Sequence, residues 1–179
     1  MTDLRIVTLC TGNAARSVML GYMLTTLAEA NGFDWGIRTA GTHAVEGQAM
    51  SPRTLSALMS IDELGEHHYT GHRSHQITRD DVEWADVILA VEVDHVNFVR
   101  TAFPDASDKV VHLRTFCLRA PLDGDPREKI ALVAAEDPDA ALDIPDPAGG
   151  DQPTYDACAR DVWDLAQVFA TLVEVDDLG

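Results

Sequence analysis

A cysteine and an arginine stand six residues apart near the start of the chain, in the segment Cys10-Thr11-Gly12-Asn13-Ala14-Ala15-Arg16-Ser17. A thiolate can attack an electrophilic phosphorus atom, and a guanidinium can bind two oxygens of the same tetrahedral anion. Gly12 and Asn13 are residue types that readily adopt positive φ, so the segment can turn its N–H groups inward as an anion nest. The residue types and their spacing therefore predict a thiolate nucleophile that faces a bound oxyanion.

The elements around this segment have to place the cysteine opposite the anion. Leu4–Cys10 is a nearly continuous apolar run, typical of a strand buried on both faces, and a helix is predicted from about Ala15 to Glu29. A cysteine at the N-terminus of a helix is favoured as the thiolate, and the Ser17 hydroxyl can donate a hydrogen bond to it. The spacing Cys-x5-Arg is common enough to arise by chance. The prediction of a thiolate site therefore depends on this strand–turn–helix setting. The alternative is a buried cysteine that only ends a strand.

The rest of the chain alternates between strand and helix patterns. Further strands are predicted at Ile37–Ala40, Asp86–Val91 and Lys109–Leu113. Helices are predicted from Pro52 through Met59 and at Arg79–Trp84, Asp94–Phe103, Ile130–Ala135 and Pro153–Val175, with a polar stretch over Pro121–Gln152. This alternation favours an α/β fold in one domain over residues 1–179, with a parallel sheet covered by helices on both faces.

A thiolate attack on a phosphate ester also requires a proton for the leaving atom, which a carboxylic acid can supply. Three Asp-Pro pairs are candidates, namely Asp125-Pro126, Asp137-Pro138 and Asp146-Pro147. Most such pairs are only turns, and the chemistry of the residues does not choose among them.

The segment Cys10–Ser17 resembles the loop Cys-x-Gly-Asn-x-Cys-Arg-Ser of the low-molecular-weight protein tyrosine phosphatase family. Other segments resemble the same family, and the similarity runs almost from end to end: Thr39–Thr42, His72 through Thr78, Asp86–Glu92 and Ile144–Pro147. The resemblance implies a four-stranded parallel sheet with helices on both faces and the phosphatase loop between the first strand and the first helix.

The resemblance also assigns roles to the residues. It implies that Cys10, Arg16 and Asp146 are catalytic and that Asn13, Ser17 and His72 support the loop. Phosphate would be bound by Thr11, Gly12, Asn13, Ala14, Ala15, Arg16 and Ser17. The implied activity is a cysteine-dependent hydrolysis of phosphotyrosine or phosphoarginine in proteins through a phosphocysteine intermediate, with no cofactor and no metal.

Several residues depart from the family pattern. Ala15 replaces the second cysteine of the loop, Val18 replaces a proline, and Ala14 and Ala148 replace larger side chains. Without that second cysteine the loop cannot form the protective disulfide of the family. The changes at Ala14 and Ala148 reduce the apolar walls that normally hold a phenyl ring, so the choice of substrate stays open. Two alternatives also stay open: an arsenate reductase that passes its adduct to a small thiol, and a phosphate-binding regulator without turnover.

Composition limits the classes of partner. The 179 residues carry a net charge of −17, which gives no electrostatic footprint for nucleic acid or an anionic membrane. The three cysteines fit neither a disulfide framework nor a zinc site, and His67, His68 and His72 lack a completing ligand. No apolar run is long enough to span a bilayer. We therefore expect a cytoplasmic protein, a monomer or weak dimer, that acts on phosphorylated proteins or small phosphoesters.

Overall fold

A four-stranded, all-parallel sheet forms the centre of the molecule in the computed structural model, which describes residues 3–174. The strands are β1 (Leu4–Cys10), β2 (Trp35–Gly41), β3 (Val87–Ala90) and β4 (Val110–His112), in the spatial order β2-β1-β3-β4. Strand β1 pairs with both β2 and β3, so hydrogen-bonded neighbours on either side fix Cys10 at its carboxyl end.

Seven α-helices surround the sheet in this part of the chain: α1 (Arg16–Asn31), α2 (Pro52–Met59), α3 (Arg79–Trp84), α4 (Val93–Ala102), α5 (Leu113–Arg119), α6 (Pro126–Ala134) and α7 (Gln152–Glu174). No helix between residues 3 and 174 combines the length and the apolarity needed to cross a membrane. The sheet with its helices confirms the predicted fold class, including the loop between β1 and α1.

Alternate side chains of β1 enter two separate cores. Leu4 and Ile6 pack with α1, α2, α5, α6 and α7 on one face of the sheet. Val7 and Leu9 pack with α3 and α4 on the other face. All four side chains are fully buried, and each such burial stabilises the fold by about 1.5–3 kcal/mol. The strand that carries Cys10 is therefore one of the most constrained segments of the molecule.

The prediction of a strand over Lys109–Leu113 is partly wrong, because the strand ends at His112 and Leu113 begins α5. The reason is an unusual helix cap. Nδ1 of His112 accepts a hydrogen bond from the Thr115 backbone N–H at 3.3 Å. Histidine is not among the residues normally recognised as N-caps, so the start of α5 is hidden in the sequence.

Other helix boundaries differ by a few residues from their predictions. Helix α6 begins at Pro126, four residues before Ile130, because the Asp125 carboxylate accepts from the N–H groups of Arg127 and Glu128. The helix predicted at Arg79–Trp84 is confirmed with its Thr78 cap. The end predicted for the last helix at Val175 lies outside the described residues.

Candidate active site

The loop between β1 and α1 presents a ring of unused donors beside Cys10. Within residues 3–174, the backbone N–H groups of residues 11–17 have no acceptor in the protein. Cys10 is 3% exposed, and its Sγ lies 3.0 Å from Ser17 Oγ. Asn13 Nδ2 donates to the same Ser17 oxygen at 2.9 Å, so the serine hydroxyl hydrogen is free to point at the sulfur. This arrangement suits a thiolate next to a bound anion.

Asn13 occupies the left-handed region of the loop, with a φ of 51°. Its carbonyl oxygen accepts from His72 Nε2 at 2.8 Å and from Ser74 Oγ at 2.7 Å, and its side-chain Oδ1 accepts from the His75 N–H at 2.9 Å. Burial lowers the pKa of His72, so its Nε2–H donates from a neutral ring. Four hydrogen bonds therefore hold one strained residue, and the supporting roles of Ser74 and His75 were not predicted from the sequence.

The end of β2 closes against the same loop. The N–H of Thr42 donates to the Cys10 carbonyl at 2.9 Å, and that of His43 donates to the Thr11 carbonyl at 2.8 Å. A Cβ atom at Gly41 would lie 2.5 Å from the Thr11 carbonyl oxygen. Only glycine allows this approach, which explains a glycine in the segment Thr39–Thr42.

Arg16 lies behind the loop, 1% exposed, with its guanidinium held by three acceptors. Nη1 donates to the Glu92 carboxylate and, at 2.8 Å, to the Ile144 carbonyl oxygen. Nη2 lies 3.2 Å from Asp146 Oδ2. A buried arginine is stable only when paired, so these groups orient the fork before any anion arrives.

Asp146 sits on the opposite side of the cavity in a short exposed turn. Its Oδ1 accepts from the Ala148 N–H at 3.0 Å, and its side chain is 45% exposed. Among the three Asp-Pro pairs, Asp125 caps α6, and within the described chain only Asp146 contacts Arg16. The structure thus brings Cys10, Arg16 and Asp146 together at one cavity.

This cavity has a volume of about 110 Å³. It is lined by Cys10, Gly12, Ala14, Ala15, Arg16, Ser51, Asp146, Ala148 and Tyr155. Ser51 and Tyr155 were not predicted here. Ser51 caps α2, and Thr54 Oγ1 on that helix donates to the Ala14 carbonyl at 2.9 Å, which ties α2 to the loop. A serine cap ahead of a proline was the signal in the sequence, but nothing placed it beside the loop.

The other two cysteines lie in a different environment. Burial raises the pKa of the Cys117 thiol to about 12, and it raises that of Cys158 to about 12 as well. Both are therefore protonated at neutral pH and poor nucleophiles. In the described part of the chain, no group of three His, Cys, Asp or Glu side chains could hold a metal ion.

The chain is similar in sequence and in fold to several known proteins. Residues 5–124 match the family model of the low molecular weight phosphotyrosine protein phosphatases. A protein-arginine-phosphatase of Geobacillus stearothermophilus is 33% identical over 112 residues, which are 63% of this chain and 70% of that protein. A low molecular weight phosphotyrosine protein phosphatase of Dictyostelium discoideum is 24% identical over 98% of this chain and 95% of that protein. The solved arginine phosphatase from Geobacillus stearothermophilus is similar with a TM-score of 0.71 and 28% identity, covering 93% of this chain and 90% of that one.

Proposed function

Because the chain belongs to the low molecular weight phosphotyrosine protein phosphatase family, we propose that it hydrolyses phosphorylated side chains of proteins at the cavity between Cys10 and Asp146. The observation that carries this proposal is the convergence of three groups on one small cavity. They are a thiol at the end of β1, the guanidinium of Arg16 and the carboxyl group of Asp146.

In the first step, the Cys10 thiolate attacks the phosphorus atom in line with the leaving group. The free N–H groups of the loop and the Arg16 fork stabilise the charge on the three remaining oxygens. Asp146 gives its proton to the departing oxygen or nitrogen. The S–P bond forms as the bond from phosphorus to the side chain breaks, which leaves a phosphocysteine.

In the second step, water replaces the sulfur. The Asp146 carboxylate accepts a proton from the water, whose oxygen attacks phosphorus as the S–P bond breaks. The electron pair returns to Cys10, where the Ser17 hydroxyl can donate to the thiolate. Inorganic phosphate leaves, and both catalytic groups regain their starting protonation states.

Two substrate classes fit this chemistry, phosphotyrosine and phosphoarginine. The similar proteins act on one or the other, as their names state. The cavity walls formed by Ala14, Ala15 and Ala148 are small, while Tyr155 offers one aromatic surface. Both classes need the same nucleophile and the same proton donor, so we propose the shared reaction. Turnover assays with both kinds of peptide then identify the substrate.

Parallel turnover assays test this proposal. We expect the protein to release phosphate from p-nitrophenyl phosphate and from a phosphotyrosine or a phosphoarginine peptide, and we expect Cys10→Ser to abolish both activities. Arsenate with a small thiol serves as a third substrate. Thiol consumption that depends on arsenate, without phosphate release from any phosphopeptide, would assign the site to arsenate reduction instead. Phosphate binding without any turnover would indicate a regulator.

A further inference from the structure

His95, the third residue of α4, contacts the turn that follows Cys10 on the side away from the cavity. The ring is 2% exposed, and both of its nitrogens lie within hydrogen-bonding distance of a partner. Nδ1 lies 3.2 Å from the Glu92 backbone N, and Nε2 lies 2.9 Å from Thr11 Oγ1 and, at the longer distance of 3.5 Å, faces Glu92 Oε2. The histidine therefore connects the start of α4 to the residue that directly follows Cys10.

The partners fix the position of the ring proton. A backbone N–H only donates, so Nδ1 of His95 is an acceptor and the neutral ring carries its proton on Nε2. Nε2–H accordingly donates to Thr11 Oγ1. Burial, with a further contribution from the nearby Arg16 charge, lowers the pKa of His95 to about 3. His112 and His43 act in the same direction and Asp146 opposes them, so the donor form persists at neutral pH.

Thr11 is anchored at two points, neither of which uses the cavity. Its hydroxyl accepts from His95, and its carbonyl accepts from the His43 N–H at 2.8 Å. The side chain is not part of the cavity lining. The Thr11 N–H, by contrast, is one of the free donors of the loop within residues 3–174.

We propose that His95 is a positioning residue for the reaction at Cys10. Its Nε2–H fixes Thr11, so that the first N–H group after the nucleophile stays in the anion nest. The Glu92 carboxylate, on the residue before α4, contacts Arg16 at the far end of the loop. The start of α4 therefore holds both ends of the loop. This inference rests on the proposed function, but it concerns anion binding and the state of Cys10, which can be measured without turnover.

Three variants separate positioning from helix capping. Thr11→Val keeps the shape of the side chain and removes the acceptor. His95→Asn keeps an acceptor at the place of Nδ1 for the Glu92 N–H, but it cannot reach Thr11. His95→Gln carries an acceptor and a longer donor, and glutamine is a natural residue at this capping-box position. We expect Thr11→Val and His95→Asn each to raise the dissociation constant of orthovanadate by about 5-fold, the effect of one lost hydrogen bond.

The second measurement is the pH midpoint for alkylation of Cys10 by iodoacetamide. We expect Thr11→Val and His95→Asn to move it upward and His95→Gln to restore most of the original value. The double variant Thr11→Val/His95→Asn should be no worse than either single variant, since both remove the same bond. Additive effects in this cycle would overturn the proposal.

His112→Asn is the matched control. His112 is also 2% exposed and also caps a helix through Nδ1, but its Nε2 faces Asp143 rather than the loop. We expect it to lose thermal stability without moving the alkylation midpoint. If it moves the midpoint as far as His95→Asn does, general loosening explains the effect and the proposal fails. Absence of turnover in the unmodified protein would instead contradict the proposed function, while the vanadate and alkylation cycle would still decide the role of His95.

Discussion

The loop of residues 10–17, proposed to bind phosphate, and the Asp146 turn face each other across one cavity, but they are built differently. In the loop, Asn13 alone makes four hydrogen bonds, one to Ser17 of α1 and three to residues 72–75, and Cys10 is almost fully buried. The carboxylate of Asp146 is held by the Ala148 N–H and by Arg16, and nearly half of the side chain is exposed. The side proposed to bind the anion is thus preorganised, whereas the side proposed to move the proton is open to solvent and depends on few contacts.

Removal of the nucleophile should have the largest effect. Cys10→Ser should lower turnover by about 10⁴-fold or more, because a serine at the same place is a far weaker nucleophile. Because the loop N–H groups and Arg16 are untouched, orthovanadate binding should persist, as titration of the variant can show. Cys117→Ser is the matched control and should retain turnover. Turnover in Cys10→Ser close to that of the original protein would eliminate the phosphocysteine mechanism.

Arg16→Lys tests the anion-binding side next. A lysine keeps the charge but loses the planar fork, so kcat/KM should fall by about 100-fold. Arg100→Lys is a suitable control, because Arg100, like Arg16, donates to backbone carbonyl oxygen, but at Ala134 and Glu136 rather than at the cavity. Thermal melting of both variants separates folding from catalysis. Equal kinetics for Arg16→Lys and the original protein would show that preorganisation of the fork is unimportant.

Asp146→Asn tests the open side. For aryl phosphates with poor leaving groups, kcat should fall by about 100-fold, whereas good leaving groups, which need no proton, should lose much less. Asp125→Asn and Asp137→Asn change the other two Asp-Pro pairs, and Asn also serves as an N-cap for α6, so both should retain kcat. A loss of the same size for all leaving groups would mean that another residue donates the proton.

The difference in construction should also appear as a difference in stability. Asn13→Ala loses two side-chain hydrogen bonds and places alanine at positive φ, which should cost about 2–3 kcal/mol. Gly149→Ala also forces alanine into positive φ, at 81°, but nothing lies within 4 Å of the new Cβ, so the cost should stay near 1 kcal/mol. Urea unfolding measures both values. A larger loss of unfolding free energy in Gly149→Ala than in Asn13→Ala would contradict the view that the loop is the more constrained side.

The smallest effect concerns His75, whose N–H supports Asn13. Burial opposes its charge, but hydrogen bonds to Glu46 and Asp81 outweigh burial and raise the pKa of His75. A raised folded-state pKa gives stability that is complete below the ordinary value of 6.5 and is lost as the pH rises through the folded value. The side chain is 37% exposed, so the loss should stay below about 1 kcal/mol. Urea midpoints from pH 6 to 9 should fall for the original protein, whereas His75→Gln should show a flatter profile.

The sequence predicted the parts of the molecule that depend on local pattern. The apolar run Leu4–Cys10 and the periodicity of α1 define the element that carries the nucleophile, and the Gly12-Asn13 turn is visible from residue types alone. The sequence did not predict helix α5, because a histidine caps it. The choice of Asp146 among three Asp-Pro pairs needed the family resemblance, since all three have the same local chemistry.

The residues that were missed act through contacts distant in sequence. Glu92 reaches Arg16 across 76 residues, His95 reaches Thr11 across 84, and Ser74 reaches Asn13 across 61. In the sequence, these three are ordinary capping or loop residues. The parallel pairing of β1 with β3 and β2 brings their segments next to the loop. No local periodicity encodes that register, so these partners emerge only from the folded sheet.

The strand order also determines where a ligand can enter. From β1 the chain first adds β2 on one side and later adds β3 and β4 on the other, with α1 and α4 covering opposite faces. The carboxyl ends of β1 and β3 therefore form a topological switch point, where the connecting segments diverge and leave a crevice. Cys10 ends one of these strands and Glu92 follows the other. The opening above Cys10 is thus a product of chain connectivity.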